Sequence, residues 1–324
     1  MHIVIPDDYQ DAVRGLSCYA KLAGHDVSVF NDTVTDVDAL ARRFNDADAL
    51  VLIRERTRIG DVLLERLPRL KIISQTGKAA AHIDLAACTR RGVVVAAGTG
   101  SPYAPAELTW ALVLAAVRRL PQEVARLRAG RWQGSIGTLL RGRTLGIWGY
   151  GNIGRLVAGY GAAFGMKLLI YGREGSATRA RADGYAVAAD KHQLFAESDV
   201  LSLHLRLNDE TRGIVAATDL ARMKPDAVIV NISRAELITP GALEAALRAG
   251  RPGLAAVDVY EQEPILGGAH PLLKMDNAVC TPHLGYVEKE NYEAYFGQAF
   301  DNLLAFVNGA PVNVVNPEAL GKRP

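Results

Sequence analysis

Cysteine is scarce in this chain of 324 residues: Cys18, Cys88 and Cys280 are the only three. An odd, sparse set without C-x-x-C spacing argues against a zinc site and for buried or partly buried thiols in a reducing compartment. An excess of one charge is also missing. Thirty-seven Lys and Arg oppose 35 Asp and Glu, for a net charge of +2. With the basic residues scattered, there is no electrostatic footprint for a nucleic acid or a membrane surface. The most apolar stretch, Leu108–Val117, is too short to cross a bilayer and runs directly into Arg118-Arg119. The first residues, Met1-His2-Ile3-Val4-Ile5-Pro6-Asp7, lack the basic and apolar regions of a signal peptide. Low-complexity tracts and short repeats are absent too. These absences predict a cytoplasmic protein with neither membrane nor nucleic acid as partner.

What is present is ordinary globular material. Hydrophobic residues make up 49% and charged residues 22% of the chain, enough to build a core that needs no metal. At roughly 100–200 residues per domain the length predicts two domains. Short β-rich runs alternate with helical patterns throughout, which reads as α/β architecture with parallel sheets. Strands are expected at Ile3–Ile5, Val27–Phe30, Ala49–Ile53, Lys71–Gln75 and Val93–Ala96, with helices between them, for example over Asp36–Phe44 and Gly60–Arg66. Ser101-Pro102 reads as a helix cap followed by proline at the first helical position; that helix runs to about Arg119 and ends before Pro121. Six further strands are expected at Thr144–Trp148, Lys167–Tyr171, Val200–Leu205, Ala227–Asn231, Leu254–Val257 and Ala278–Cys280, the number in a full dinucleotide fold. In the last helical stretch, Val287–Val307, the residues Phe296, Phe300, Leu303, Leu304 and Val307 recur at helical spacing. Packed back on the first domain, this helix would make that domain discontinuous. The fold expected is thus a Rossmann-type doubly wound sheet over 100–287, inserted into a smaller flavodoxin-like domain of 1–99 plus 288–324.

The clearest motif is Gly149-Tyr150-Gly151-Asn152-Ile153-Gly154. A lone G-x-G-x-x-G is a weak signal, but here a strand precedes it and a helical pattern follows. Gly149 allows the tight turn, Gly151 lets the backbone approach a pyrophosphate, and Gly154 permits close helix–strand packing. The helix that begins at Asn152 and Ile153 offers unpaired N–H groups to the phosphates. An acid about 20 residues on would bind the ribose 2′-hydroxyl of NAD. Here that position is Gly172, and Arg173 follows it. Loss of the acid and gain of an arginine favour a 2′-phosphate, so NADP is the preferred cofactor and NAD the alternative. Glu174 is the competing reading, because it can reach the ribose hydroxyls instead.

In open α/β sheets ligands bind at the carboxyl ends of the strands. Those ends carry His204, then Asn231-Ile232-Ser233-Arg234, then Asp258 with Glu263 beyond it, then Thr281-Pro282-His283. Reduction of a 2-oxo acid needs such groups: a planar cation for the carboxylate and carbonyl, a histidine to protonate the oxygen, and a carboxylate to orient and charge that histidine. His204 reads as structural or cofactor-adjacent. His2, His25, His82, His192 and His270 read as non-catalytic.

The segments TLGIWGYGNIGRLVA, HLRLNDETRGI, MKPDAVIVNISRAELI, AAVDVYEQEP and CTPHLGY together resemble the D-isomer-specific 2-hydroxyacid dehydrogenases, a family that includes phosphoglycerate dehydrogenase and glyoxylate/hydroxypyruvate reductase. The resemblance spans essentially the whole chain. It implies an oxidoreductase in which hydride passes between nicotinamide C4 and C2 of a small 2-oxo or 2-hydroxy acid, usually in a homodimer built through the long helix and nearby strands of the cofactor domain. Carried over residue by residue, it implies that Arg234 binds the substrate carboxylate and that His283, paired with Glu263, is the acid/base. It also places Asp258 at the nicotinamide amide, with Ile232 and Gly285 bordering the cofactor.

On the substrate side, Thr76–Asp84 resembles the family's G-x-G-x-D-x-I-D loop, whose backbone N–H groups grip the substrate carboxylate. Gly77, Lys78 and Ala79 are the candidates. Ala79 replaces the second glycine, Ala81 the aspartate, and Lys78 an apolar residue, so Lys78 reads either as a charge for a second anionic group or as a surface lysine. Arg54 is a substrate candidate because phosphoglycerate dehydrogenase has an arginine in this segment facing the substrate phosphate; Arg56 lies on the same edge. Arg206, Pro105 and Ala235 stand where the family usually has proline, valine and glycine, which leaves the substrate open. Two other readings share the scaffold. One is a corepressor that senses dinucleotide without turnover. The other is a formate dehydrogenase, against which Glu263 argues because those enzymes carry glutamine there.

Overall fold

The computed structural model describes residues 1–79 and 81–322; Ala80 of the loop above, and Arg323 and Pro324, lie outside the described residues. The chain forms two compact units, Met1–Ser101 with Glu288–Pro324 and Pro102–Val287.

The first unit holds five parallel strands: β1 His2–Ile5, β2 Asp26–Val29, β3 Ala49–Leu52, β4 Ile72–Gln75 and β5 Val94–Ala97. Their order is β2-β1-β3-β4-β5, the flavodoxin-like arrangement. β3 and β4 are buried along their whole length, as expected for strands covered by helices on both faces. Asp36 caps the helix Val37–Phe44 by accepting from the Ala39 N–H at 2.9 Å, and the helix buries Leu40, Ala41 and Phe44. The terminal helix Lys289–Val307 belongs to this unit. The Ser74 hydroxyl donates to the Ala299 carbonyl at 2.9 Å, and Phe296 and Phe300 are buried. Behind it Asn316 accepts from the Val95 N–H at 2.7 Å and donates to the Val93 carbonyl at 2.9 Å, tying the tail to β5.

The second unit holds seven parallel strands, not six: β6 Thr144–Trp148, β7 Lys167–Tyr171, β8 Ala186–Val187, β9 Val200–Leu203, β10 Val228–Asn231, β11 Leu254–Val257 and β12 Ala278–Cys280. The order β12-β11-β10-β9-β6-β7-β8 is the two-half dinucleotide topology with β12 added at the edge. β8 completes the first half. With two residues it is too short to leave a periodic trace in the sequence. The helix Tyr103–Val117 starts one residue later than expected, with Pro102 and not Ser101 at its cap. Pro121 does not follow the end of the helical region. Arg119, at φ 54°, breaks the first helix, and a second, Leu120–Arg128, takes the proline in its first turn, where no N–H is needed. Helix Tyr103–Val117 buries Ala106, Trp110, Leu112, Val113 and Val117 against the sheet, each large side chain contributing roughly 1.5–3 kcal/mol.

The register sets up the site. Trp148 is level with Leu203 and Tyr171, Leu203 with Asn231, Asn231 with Val257, and Val257 with Cys280. The residues that follow these ends therefore emerge along one edge of the sheet.

Candidate active site

The topology reverses between β6 and β9, the place where an open α/β sheet leaves a crevice. Gly149 sits there with φ 103°, and a Cβ on it would lie 2.5 Å from the His204 carbonyl oxygen. A Cβ on Gly154 would lie 2.2 Å from the Gly149 carbonyl. The fold itself therefore demands both glycines. Gly151 is different: it is exposed at the cap of the helix Asn152–Ala163, and nothing lies within 4 Å of a Cβ built there. No protein atom fills the space beside residue 151, so its backbone lies open at the start of this helix. Asn152 is exposed and Ile153 partly buried beside it.

After β7, Gly172 lies against Ser176. Arg173 is exposed and pairs with Glu210 at 2.5 Å. The Glu174 carboxylate accepts from Thr178 and Arg181, both at 3.2 Å, and so is turned along its own helix.

His204 follows β9. Its Nε2 lies 2.9 Å from the Ser202 hydroxyl, and its buried Nδ1 has no hydrogen-bond partner. Burial pushes its pKa down to about 4, so the ring is neutral. Ser202 lies two residues before His204 on an extended segment, a spacing that puts both side chains on one face.

Behind β10, buried Asn231 organises the turn: it donates to the Arg234 carbonyl at 2.8 Å and accepts from the Ser233 N–H at 3.0 Å. The Ser233 hydroxyl donates to the Leu203 carbonyl at 2.8 Å, linking this turn to β9. Ile232 is buried, and the partly buried Arg234 guanidinium donates to the Ser233 carbonyl at 2.6 Å.

Behind β11 and β12 the candidates come together. His283 Nδ1 lies 2.6 Å from Glu263 Oε2, and both side chains are largely shielded from solvent. The other oxygen of Glu263 accepts from the Tyr260 N–H at 2.9 Å. The Tyr260 hydroxyl donates to the Thr281 carbonyl at 2.9 Å, so one residue ties both segments of the pair. Tyr260 was not singled out from sequence; its hydroxyl partner lies 21 residues away, beyond any local signal. His283 has φ 52°, the left-handed region that L-residues rarely adopt. Such conformations persist where surrounding contacts over-determine them, and they cluster at functional sites. The contacts here come from Asp258. It is fully buried, and its oxygens accept from the Thr281 hydroxyl at 2.6 Å, the Leu284 N–H at 2.7 Å and the Gly285 N–H at 2.8 Å. Burial raises its pKa, against the lowering effect of these donors. Asp258 thus holds the turn that carries His283.

A histidine aligned by a partly buried carboxylate, on the edge of a dinucleotide-type sheet, is the arrangement an acid/base reaction beside a nucleotide requires. The model of the D-isomer-specific 2-hydroxyacid dehydrogenase NAD-binding domain matches residues 110–285. The chain belongs to this family. A glyoxylate reductase of Aeropyrum pernix is 38% identical over 300 residues, 88% of each chain. A D-3-phosphoglycerate dehydrogenase of Methanocaldococcus jannaschii is 36% identical over 88% of this chain, which spans 56% of that longer relative. Among solved structures, a phosphoglycerate oxidoreductase from Vibrio cholerae is 55% identical, with a TM-score of 0.93 over 96% of this chain and all of the other. The family is one of oxidoreductases with an NAD-binding domain.

In the first unit Arg54 has φ 51° and stacks over the Tyr295 ring, 5.7 Å from its centroid. A Cβ on Gly77 (φ 79°) would lie 2.2 Å from the Arg54 guanidinium, so these two substrate candidates are adjacent. Lys78 is exposed and Ala79 partly buried. Among the described residues no cluster of His, Cys, Asp and Glu could hold a metal, and no helix is long and apolar enough to cross a membrane.

Proposed function

We propose that this chain catalyses the reversible reduction of a small 2-oxo acid to the D-2-hydroxy acid, with 102–287 as the cofactor domain and the other unit as the substrate domain. The observation that carries the proposal is the shielded 2.6 Å His283–Glu263 pair behind β12. Glyoxylate reductases and phosphoglycerate dehydrogenases among the relatives support the substrate class.

The residues present fit a dinucleotide. Gly151 leaves the backbone open at the N-terminus of the helix that follows β6, and His204 keeps a buried nitrogen without a partner. Gly149–Gly154, Gly172, Arg173, His204, Ile232, Asp258 and Gly285 would border the group, which when bound supplies the hydride received at C2. Arg234 holds the substrate carboxylate through its guanidinium fork and draws electron density from the carbonyl. His283 delivers the proton from Nε2 to the carbonyl oxygen, while Glu263 accepts from Nδ1 and balances the charge of the imidazolium. Gly77, Lys78, Ala79 and Arg54 form the anion-receiving loops of the substrate unit. In the reverse direction His283 takes the hydroxyl proton back. Replacing His283 with Asn is expected to lower kcat by about 100-fold or more with the fold intact; near-normal turnover refutes the assignment.

NADP is the cofactor proposed, with NAD as the alternative. Gly172 leaves room, Arg173 reaches a 2′-phosphate by leaving its exposed partner Glu210, and Glu174 is occupied by Arg181. A higher kcat/KM for NADPH than NADH, reduced in Arg173→Ala, is the expected result; an NADH preference refutes it.

A homodimer is proposed from the segment after Val117. The helix Leu120–Arg128 buries no side chain, and Trp132, Ile136 and Leu139 stand largely in solvent. A short helix without packing is marginal, and a second copy would cover it. The three free cysteines fit a cytoplasmic location.

A further inference from the structure

Tyr295 stands outside the catalytic set of Arg234, Glu263 and His283. It lies on the terminal helix Lys289–Val307, and its ring is buried, at 7% exposure. Phe296 and Phe300 on the same helix fill the core and need no polar atom. Tyr295 carries a hydroxyl, yet that hydroxyl makes no hydrogen bond within the described residues. The ring is enclosed while the hydroxyl oxygen still reaches solvent, which leaves the polar end of this tyrosine open to a ligand.

The surroundings are built around the ring. A Cβ on Gly100 would lie 2.0 Å from the Tyr295 hydroxyl oxygen and 2.7 Å from the ring carbon that bears it. A Cβ on Gly77 would lie 3.2 Å from the ring edge. Two glycines on two different loops therefore make room for one tyrosine. Both loops are fastened: the Gly98 N–H donates to the Gly77 carbonyl at 2.7 Å, and Gln298 on the same helix accepts from the Thr99 N–H at 2.8 Å. Arg54 arrives from the third side. Its left-handed backbone is held by the Thr76 hydroxyl, which accepts its N–H at 3.0 Å, and by Gln75, which donates to its carbonyl at 2.8 Å. The guanidinium lies over the Tyr295 ring at cation–π distance. Glu55, 3.9 Å from it, offsets part of the charge. A strained arginine pinned on a buried ring, next to an unpaired hydroxyl at the carboxyl ends of β3, β4 and β5, is a preorganised receptor for an anion.

We propose that Tyr295 is a specificity-determining residue for 2-oxo acids that carry a second anionic group. Its ring holds the Arg54 guanidinium, and its hydroxyl donates to the same anionic group that Arg54 receives. The proposal rests on reading this unit as the substrate domain.

The test is steady-state kinetics of the full-length protein with glyoxylate, which has no second anionic group, and oxaloacetate, which has one. Tyr295→Phe keeps the ring and removes the hydroxyl. It is expected to raise KM for oxaloacetate about 10-fold while leaving KM for glyoxylate and kcat for both unchanged. Tyr295→Leu frees the guanidinium as well and is expected to approach Arg54→Ala in its oxaloacetate KM. If Arg54→Ala changes KM for neither acid, the substrate reading of Arg54 fails. If Arg54→Ala raises the oxaloacetate KM but Tyr295→Phe moves both acids equally or neither, the role of Tyr295 fails while the substrate domain stands. A wild-type protein with no lower KM for oxaloacetate than for glyoxylate also overturns the proposal.

Discussion

Replacing Asp258 with Asn tests the turn that carries His283. The carboxylate accepts from three donors: the Thr281 hydroxyl and Leu284 N–H at one oxygen and the Gly285 N–H at the other. An asparagine side chain has a single acceptor oxygen. If that oxygen faces Leu284, the amide nitrogen faces the Gly285 N–H; if it is flipped, it faces the Leu284 N–H. Either way, one backbone donor is left buried against another donor, at a cost of about 1–3 kcal/mol. The bonds that survive lose their charge assistance, which adds about 1 kcal/mol. The expected destabilisation is about 3 kcal/mol, which at roughly 2–4 °C per kcal/mol for a domain of this size lowers Tm by about 6–12 °C. Leu284 and Gly285 directly follow His283 at φ 52°, so the same loss should misdirect the ring and lower kcat. Thr281→Val is the companion: it removes one side-chain donor and keeps both backbone bonds, and it should cost about 1 kcal/mol. Calorimetry and kcat on the same preparations decide the matter. An Asp258→Asn protein with unchanged Tm, defective only in KM for the nicotinamide cofactor, refutes the reasoning.

The glycine turn yields a paired prediction. Gly154→Ala drives a Cβ into the Gly149 carbonyl and should lower Tm measurably, whereas Gly151→Ala meets no protein atom and should leave Tm unchanged but weaken dinucleotide binding, as read by calorimetric titration. A stability loss in Gly151→Ala would show that the fold itself requires that glycine. His204 gives a pH dependence. Its folded pKa is depressed to about 4 from 6.5, so between those values the unfolded chain binds a proton that the folded chain does not. Stability contributed by the neutral ring is present above pH 6.5 and is lost as pH falls towards 4, by up to about 3 kcal/mol. Urea denaturation should show a smaller acid loss in His204→Gln than in wild type; equal losses would show that His204 does not drive the transition.

Much of the site was legible because its parts are local. The strand–glycine–helix succession of Thr144–Ala163 lies within one stretch of chain, and period-2 and period-3.6 patterns mark its ends. The residues that follow β9 to β12 were legible for the same reason, since a parallel sheet in register brings consecutive strand ends to one edge. Where local patterns misled, a nearby signal was ambiguous: Pro121 reads equally as a helix stop and as a first-turn residue, and left-handed Arg119 decided for the second. β8 was too short to leave a pattern.

Periodicity and turn chemistry act over a few residues, and they suffice to specify the two-unit α/β plan, the glycine turn and the residue types available at the strand ends. How those residues meet depends on the packed chain. It set Glu263 against His283 across 20 residues, turned both oxygens of Asp258 inward to the Leu284–Gly285 backbone, and brought Tyr295 from the last helix under Arg54. These are contacts between distant segments. They exist only once packing has paid the entropy of closing the loops between them, and no local pattern records that outcome.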